Sequence, residues 1–588
     1  MCGILTVWSK QAPIDDSACR RALSTMAWRG PDFCTSRVWQ DRLFLGQAVL
    51  SLTGSPVPGE TYQRSRSGRF EVMYNGELYN CPRLQSEVLD RRADLASRSQ
   101  TDTELLVNLH EVLPSGDVPG RLDGMFAYAL FDDEAHRLAF VRDPHGEKRL
   151  YVYEDERQLI VASEIRAILS LAPHLRPDPQ PLRDYFRTRH LMLGTRTVYA
   201  GVRELQPGAF ESLELDSGRW TRRRFARLRD WIDPSRMAAN ARRSADDLTD
   251  ELGDLIDRCV REMIPADRPY AAIVSGGVDS ALIADSLVRQ GHPELLVAVD
   301  HIGKDPLTAD LSGFEQVLGR PVTKVRVDAA SYAAEVPRCQ RAVGSPLPSH
   351  SFVAQSQQCA VVRAAGCRAV FGGDGADELF GGYSAYLECG DTGSTYSPSP
   401  YTAHRRPILR FRSDDPEAIQ HELASAWAAA RAAYAGVEHA CDRQRLAMML
   451  CDAEYQLPAV ALRSADAMSM LWSVESRGVF LRKPVIQFAL NLSPAMKADT
   501  REGIDPLLRT KPLLKRLFLR RFPRGLLQEK GGFGGFPNES GQWLGHASDF
   551  LALDALGVDR ASLPAAMADR DEAWKLINIE YFLRYAVQ

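Results

Sequence analysis

No apolar run in this 588-residue sequence approaches the ~20 residues that a membrane-spanning helix needs. No charge of one sign dominates: 72 lysines and arginines face 76 aspartates and glutamates, for a formal net charge of -4. That balance speaks against nucleic acid and against an anionic membrane as partners. The 11 cysteines are odd in number and include no CxxC pair, which argues against both a disulfide framework and a zinc ribbon. Internal repeats and extended low-complexity tracts are missing. So is any basic segment ahead of the opening run MCGILTVWSK, which meets Lys10 at once. The opening does not read as a signal peptide, and a cytoplasmic protein is expected.

What is present is ordinary globular material, 45% hydrophobic and 25% charged. The length suggests roughly two to four domains. Residues 2–215 read as short, often alternating strands (CGILTVW, FEVMYNGELY, GMFAYALFD) with a few helices, an α+β layered pattern. A polar, charged stretch over 216–245 reads as a linker. From 246 to 588 short apolar strands alternate with helical periodicities, which predicts a mainly parallel sheet with helices on both faces and a mostly helical C-terminal part.

Five places carry candidate chemistry. Removal of Met1 would leave Cys2 with a free α-amine, which titrates near ~7.7–8.0 and serves as base for its own sulfur. Taken alone, Cys2 is equally an ordinary second residue. Asn75-Gly76 supplies a side-chain amide and a backbone N–H, the donors of an oxyanion hole, and reads as a turn at a strand end. Asp102 suits a ligand ammonium or a helix N-cap. Downstream, Ser275–Ser280 (SGGVDS) lies between the strand YAAIV and a helix, where backbone N–H groups and the helix dipole gather round an anion. It lacks the GxxxxGK[ST] spacing of a Walker loop. Gly372–Tyr383 (GGDGADELFGGY) follows a second strand, and its Asp374, Asp377 and Glu378 suit a hard cation or a solvated acidic turn.

Taken in order, MCGI, WRGPD, NGELYN, TDTE, LDGMFAYALFD and RDPHGEKRLY resemble class II glutamine amidotransferases. SGGVDS, GGDGADELFGGY, VESRGVFLR, KPLLKR and EKGGFGGFP resemble the N-type ATP-pyrophosphatase domain of asparagine synthetases. The resemblance implies an α+β N-terminal-nucleophile sandwich of α/β/β/α layers, then an α/β Rossmann-like domain with a helical C-terminal part. It implies that Cys2 attacks the glutamine amide, that Asn75 and Gly76 hold the oxyanion, and that Asp102, Glu77 and the position of Val49 meet the amino-acid end. It implies that ATP and pyrophosphate contact Ser275, Gly276, Gly277, Val278, Asp279, Ser280, Val299, Gly372, Gly373 and Asp374. Asp279 and Asp377 would hold Mg2+, and Lys511 would neutralise charge on the phosphates. The expected partners are small molecules: glutamine, ATP and a carboxylic acid acceptor, with a homodimer as the family habit. The nearest alternative on the same fold is an intramolecular amide-forming cyclase; one of another class is an inactive regulatory protein. Three departures stand out. Val49 replaces an arginine expected to pair with the glutamine carboxylate, Arg482 replaces an acid on the acceptor side, and Glu388 replaces a lysine there.

Overall fold

The computed structural model describes residues 2–52, 63–96, 99, 101–188, 193–301, 310–388, 395–528 and 549–587. The EKGGFGGFP motif lies outside these residues. The strands in chain order are β1 (Cys2–Ser9), β2 (Phe33–Trp39), β3 (Leu43–Val49), β4 (Phe70–Leu78), β5 (Gly124–Asp132), β6 (Arg137–Arg142), β7 (Tyr151–Glu154) and β8 (Gln158–Ala162). They continue with β9 (Val202–Glu204), β10 (Ala209–Glu214), β11 (Trp220–Arg224), β12 (Tyr270–Ile273), β13 (Leu295–His301), β14 (Val322–Val327), β15 (Ala369–Gly372) and β16 (Glu475–Gly478).

Two antiparallel sheets fill the first half, ordered β2-β3-β1-β8-β7-β9 and β11-β10-β6-β5-β4. Side-chain alternation builds the layers. In β1, Ile4 faces Met73, Ala129 and Phe140 of the other sheet, while Leu5 and Val7 face outward against the helices Asp16–Ser24 and Ile165–Leu171. The second sheet buries its outer face, Val72 and Tyr128 among others, under the helices Cys81–Arg91 and Asp102–Val112. The result is the expected α/β/β/α sandwich. Within the stretch read as linker, Trp220–Arg224 adds an edge strand beside β10, and a helix spans Pro234–Ala241.

In the second half a five-stranded, wholly parallel sheet runs β14-β13-β12-β15-β16, and its central strands β12, β13 and β15 are short and mainly apolar, as a sheet covered on both faces requires. Helices make up most of the remainder, including a π-helical segment Asp452–Ala461 that runs straight into the helix Leu462–Met470. Among the described residues nine cysteines are free, whereas Cys441 is disulfide-bonded. No helix among them is long and apolar enough to cross a membrane.

Candidate active sites and the seam between them

β1 lies in the middle of its sheet, but its pairing with β8 starts at Leu5, so its first residue is held by β3 and by the facing sheet. Cys2 pairs with Val49 of β3, and its nitrogen sits 2.9 Å from Asn75 Oδ1 on the facing sheet. Gln47 fixes that separation. Its buried amide spans the sandwich, donating to Tyr74 O at 2.8 Å and accepting from Tyr74 N at 3.1 Å. Asn75 and Gly76 do not form a turn. They sit inside the nine-residue β4, opposite Ala127 and Phe126, because the strand's pairing with β5 runs through them. Gly76 is required there by close approach: a Cβ would lie 2.2 Å from Met125 O. The Asn75 Nδ2 amide is buried with no partner, a donor left over beside the nucleophile.

Asp102 opens the helix Asp102–Val112, but the N-cap is Thr101, whose side chain accepts from Glu104 N. Asp102 instead accepts from Leu78 N at 3.2 Å, and burial raises its pKa. Glu77 is buried nearby. Desolvation pushes its pKa up to about 8, against the pull of Arg477 at 3.4 Å. The structure thus brings Cys2, Asn75, Gly76, Glu77 and Asp102 to one end of the sandwich. Val49, opposite Cys2 and 6% exposed, adds an apolar wall and no charge. Arg29 is close, with Nε 3.2 Å from Cys2 O, but its guanidinium is engaged elsewhere.

That engagement crosses to the second half. Arg29 Nη2 holds both oxygens of Asp466, at 2.9 and 3.0 Å, and Lys148 Nζ stands 3.4 Å from the same carboxylate. Asp466 lies on the helix Leu462–Met470 and is almost fully buried. Burial alone would raise its pKa, yet Arg29 and Lys148 hold it down at about 2. Lys148 and Glu147 are presented by a turn whose backbone donors at His145, Gly146, Glu147 and Lys148 all bond Asp143 at 2.7–3.0 Å. Two more pairings span the seam. Glu77 meets Arg477, which is itself bonded to Glu475 at 2.7 Å in β16. Arg482 reaches Asp123 and Glu262, both at 2.7 Å, with its guanidinium over the Tyr79 ring. The sequence reading set Arg482 and Glu388 at an acceptor pocket. Arg482 is a seam residue, and Glu388 is exposed.

The second site lies at the C-terminal ends of parallel strands. Ser275, Gly276 and Gly277 turn from β12 into the helix Val278–Gln290, with Gly276 at φ +79. The turn is held from inside: Ser280 Oγ contacts Ser275 Oγ at 2.9 Å, Ser275 N at 3.1 Å and Gly277 O at 3.1 Å. Gly372 ends β15, and Gly373 after it leaves room for Asp279, since a Cβ on Gly373 would lie 2.9 Å from Asp279 Cβ. Lys511 joins the two loops. Its Nζ contacts Asp279 Oδ2 and lies 2.6 Å from Asp377 Oδ1. Burial opposes its charge, but the two carboxylates hold its pKa above the ordinary lysine value. Burial and the neighbouring Asp377 lift Asp374 to about 6. Val299 sits partly buried near the end of β13, so all the predicted nucleotide residues belong to this one edge of the sheet. Among the described residues no group of three or more His, Cys, Asp or Glu could hold a metal by itself. Two carboxylates converging on one ammonium still suit Mg2+, which is bound through one or two protein carboxylates plus substrate phosphates.

Between the sites lies a small space of about 10 Å³, lined by residues that include Glu147, Lys148, Asp374, Asp466 and Ser476, room for about one water. The sequence reading missed the roles of Arg29, Gln47, Asp466 and Arg477. Arg29 and Arg477 lie in the visible motifs WRGPD and VESRGVFLR, whereas Gln47 and Asp466 lie in neither, and the partners across hundreds of residues were not legible.

Two family models match the chain. A glutamine amidotransferase domain matches residues 1–226, and asparagine synthase matches residues 251–578. Asparagine synthetase (glutamine-hydrolyzing) 1 of Bacillus subtilis (strain 168) is 26% identical over 409 residues, 66% of this chain and 60% of that one. A protein of Mycobacterium tuberculosis (strain ATCC 25618 / H37Rv), provisionally named as a glutamine-hydrolyzing asparagine synthetase, is 28% identical over 402 residues, 63% of this chain and 58% of its own. Amidase chry2 of Gibberella zeae is 26% identical over 388 residues, 62% of this chain and 55% of its own. In each case the match spans less than two thirds of the relative.

Proposed function

The chain belongs to the asparagine synthase family, and on that premise we propose that it is a glutamine-dependent amide ligase. Cys2 attacks the glutamine amide carbon. Its own α-amine takes the thiol proton, and the tetrahedral oxyanion is held by Asn75 Nδ2 and the Gly76 N–H. Asp102 and Glu77 grip the substrate ammonium. Collapse of the intermediate releases ammonia, and water then frees glutamate from the thioester. At the second site a carboxylate oxygen attacks the α-phosphorus of ATP, giving an acyl-adenylate and pyrophosphate. The 275–280 loop binds the departing phosphates and Lys511 balances their charge. Asp279 and Asp377 would hold Mg2+, which would supply Lewis-acid charge neutralisation there. Ammonia attacks the acyl carbon, and amide and AMP leave.

The observation that carries this reading is the buried contact between the two centres. Arg29 touches both the carbonyl of Cys2 and Asp466, and Asp466 shares a cavity wall with Asp374. On this reading, ammonia made at one centre would cross to the other along this contact, kept from bulk water. Aspartate is the default acceptor; a specialised-metabolite acid is its competitor, since relatives include amidases as well as asparagine synthetases.

The test is formation of AMP and pyrophosphate from Mg-ATP and aspartate, with glutamine or ammonium as donor. The expected outcome is amide from both donors, with only glutamine use lost in Cys2→Ala. No turnover with either donor would exclude aspartate. No ATP–pyrophosphate exchange across a panel of carboxylic acids would exclude a ligase.

A further inference from the structure

At the seam, lined by residues other than those named at the two centres, lies a second, partly open cavity of about 70 Å³, room for about five water molecules. Four arginines and three glutamates line it, contributed by both halves. Most of these charges are already satisfied. Glu204 is saturated by Arg142 at 2.8 Å, Arg463 at 2.6 Å and Arg149. Glu454 is taken by Arg229, which lies outside the lining.

Three groups are not used up. Arg149 is 4% exposed, and its Nε has no partner. Arg224 donates through Nε to Pro207 O at 2.9 Å and makes no other hydrogen bond among the described residues. Glu422 makes no hydrogen bond among them and has only Arg196 as a loose neighbour at 3.6 Å. A cavity with spare guanidinium donors and one loosely held carboxylate is complementary to a small zwitterion.

We propose that this cavity is a binding site for a small free α-amino acid, its carboxylate on Arg224 and Arg149 Nε and its ammonium on Glu422. Arginine is the side chain best suited to a carboxylate, because its planar donors match both oxygens. Desolvation lowers Arg149 to about 10 and raises Glu422, penalties that an opposite charge from a ligand relieves. The site would also report on the seam. Arg149 Nη2 bonds Pro458 O within the π-helical segment, and that segment feeds the helix carrying Arg463 and Asp466. Inserted π turns recur at functional sites.

The experiment is calorimetric titration of L-alanine into the full chain, with acetate and inorganic phosphate as separate titrants. Saturable alanine binding is expected, weakened at least about tenfold in both Arg224→Ala and Glu422→Gln. Both side chains are partly exposed, and thermal unfolding of each variant checks that it folds. Acetate or phosphate binding as tightly as alanine would overturn the zwitterion assignment, as would no alanine binding at all. Alanine binding lost in Asp102→Asn but kept in Arg224→Ala would place the ligand in the Cys2 pocket instead, and would equally overturn it.

Discussion

Glu77 is a side chain whose charge is set by burial against a neighbouring arginine. Burial raises its pKa from 4.5 to about 8, while Arg477 pulls it back. The raised folded value means that Glu77 stabilises the fold most fully below pH 4.5, and loses that contribution as pH rises to about 8. A glutamine ammonium favours the ionised form, so KM for glutamine should fall as pH climbs toward about 8. In Glu77→Gln that slope should vanish, read from glutamate release at several pH values. A KM in the wild type that is flat with pH would contradict the balance. Single residues were also where the sequence was most legible. Cys2, Asn75 and Gly76 were nameable from motifs, but the turn expected at Asn75-Gly76 was not found. Asn-Gly favours turns when nothing else binds the backbone, and here nine residues of ladder with β5 outweigh that preference.

At the scale of elements, the helix Leu462–Met470 matters more than its sequence suggests. Apolar periodicity marks a buried helix but does not say that Asp466 meets Arg29. Asp466→Asn leaves the Arg29 guanidinium buried with Glu164 alone, 3.4 Å away. Breaking one side of a buried pair typically costs about 3–5 kcal/mol. The variant should unfold at lower denaturant and lose glutamine hydrolysis more than ammonium-dependent synthesis, because Arg29 also positions Cys2 O. Equal losses in both would assign Asp466 to stability alone. In the wild type, this pair's stabilisation is present above the unfolded value of 3.8 and disappears as pH falls through about 2. Alternation and helical period sufficed to read the strands and layers, since both record which face meets a core. They carry no record of contacts between one core and another.

For the whole molecule, the seam should determine how tightly the two reactions are coupled. Arg482 clamps Asp123 of the first half to Glu262 of the second, a role that its departure from the family pattern did not reveal. Arg482→Ala should leave each half folded and loosen the clamp. Glutamate released per AMP formed should then rise above the wild-type ratio, measured in one reaction mixture. An unchanged ratio would place coupling in the Arg29–Asp466 contact alone.

The length of chain between Arg29 and Asp466, 437 residues, also has a meaning in time. Ribosomes add roughly 5–20 residues per second, so the carboxylate follows the arginine by about 20–90 s. Throughout that interval a nascent chain has its sulfur nucleophile but not the anchor that steadies it. Until the second half is made, Arg29 has Glu164 as its one carboxylate partner among the described residues, so the seam gains its Asp466 anchor only near the end of synthesis.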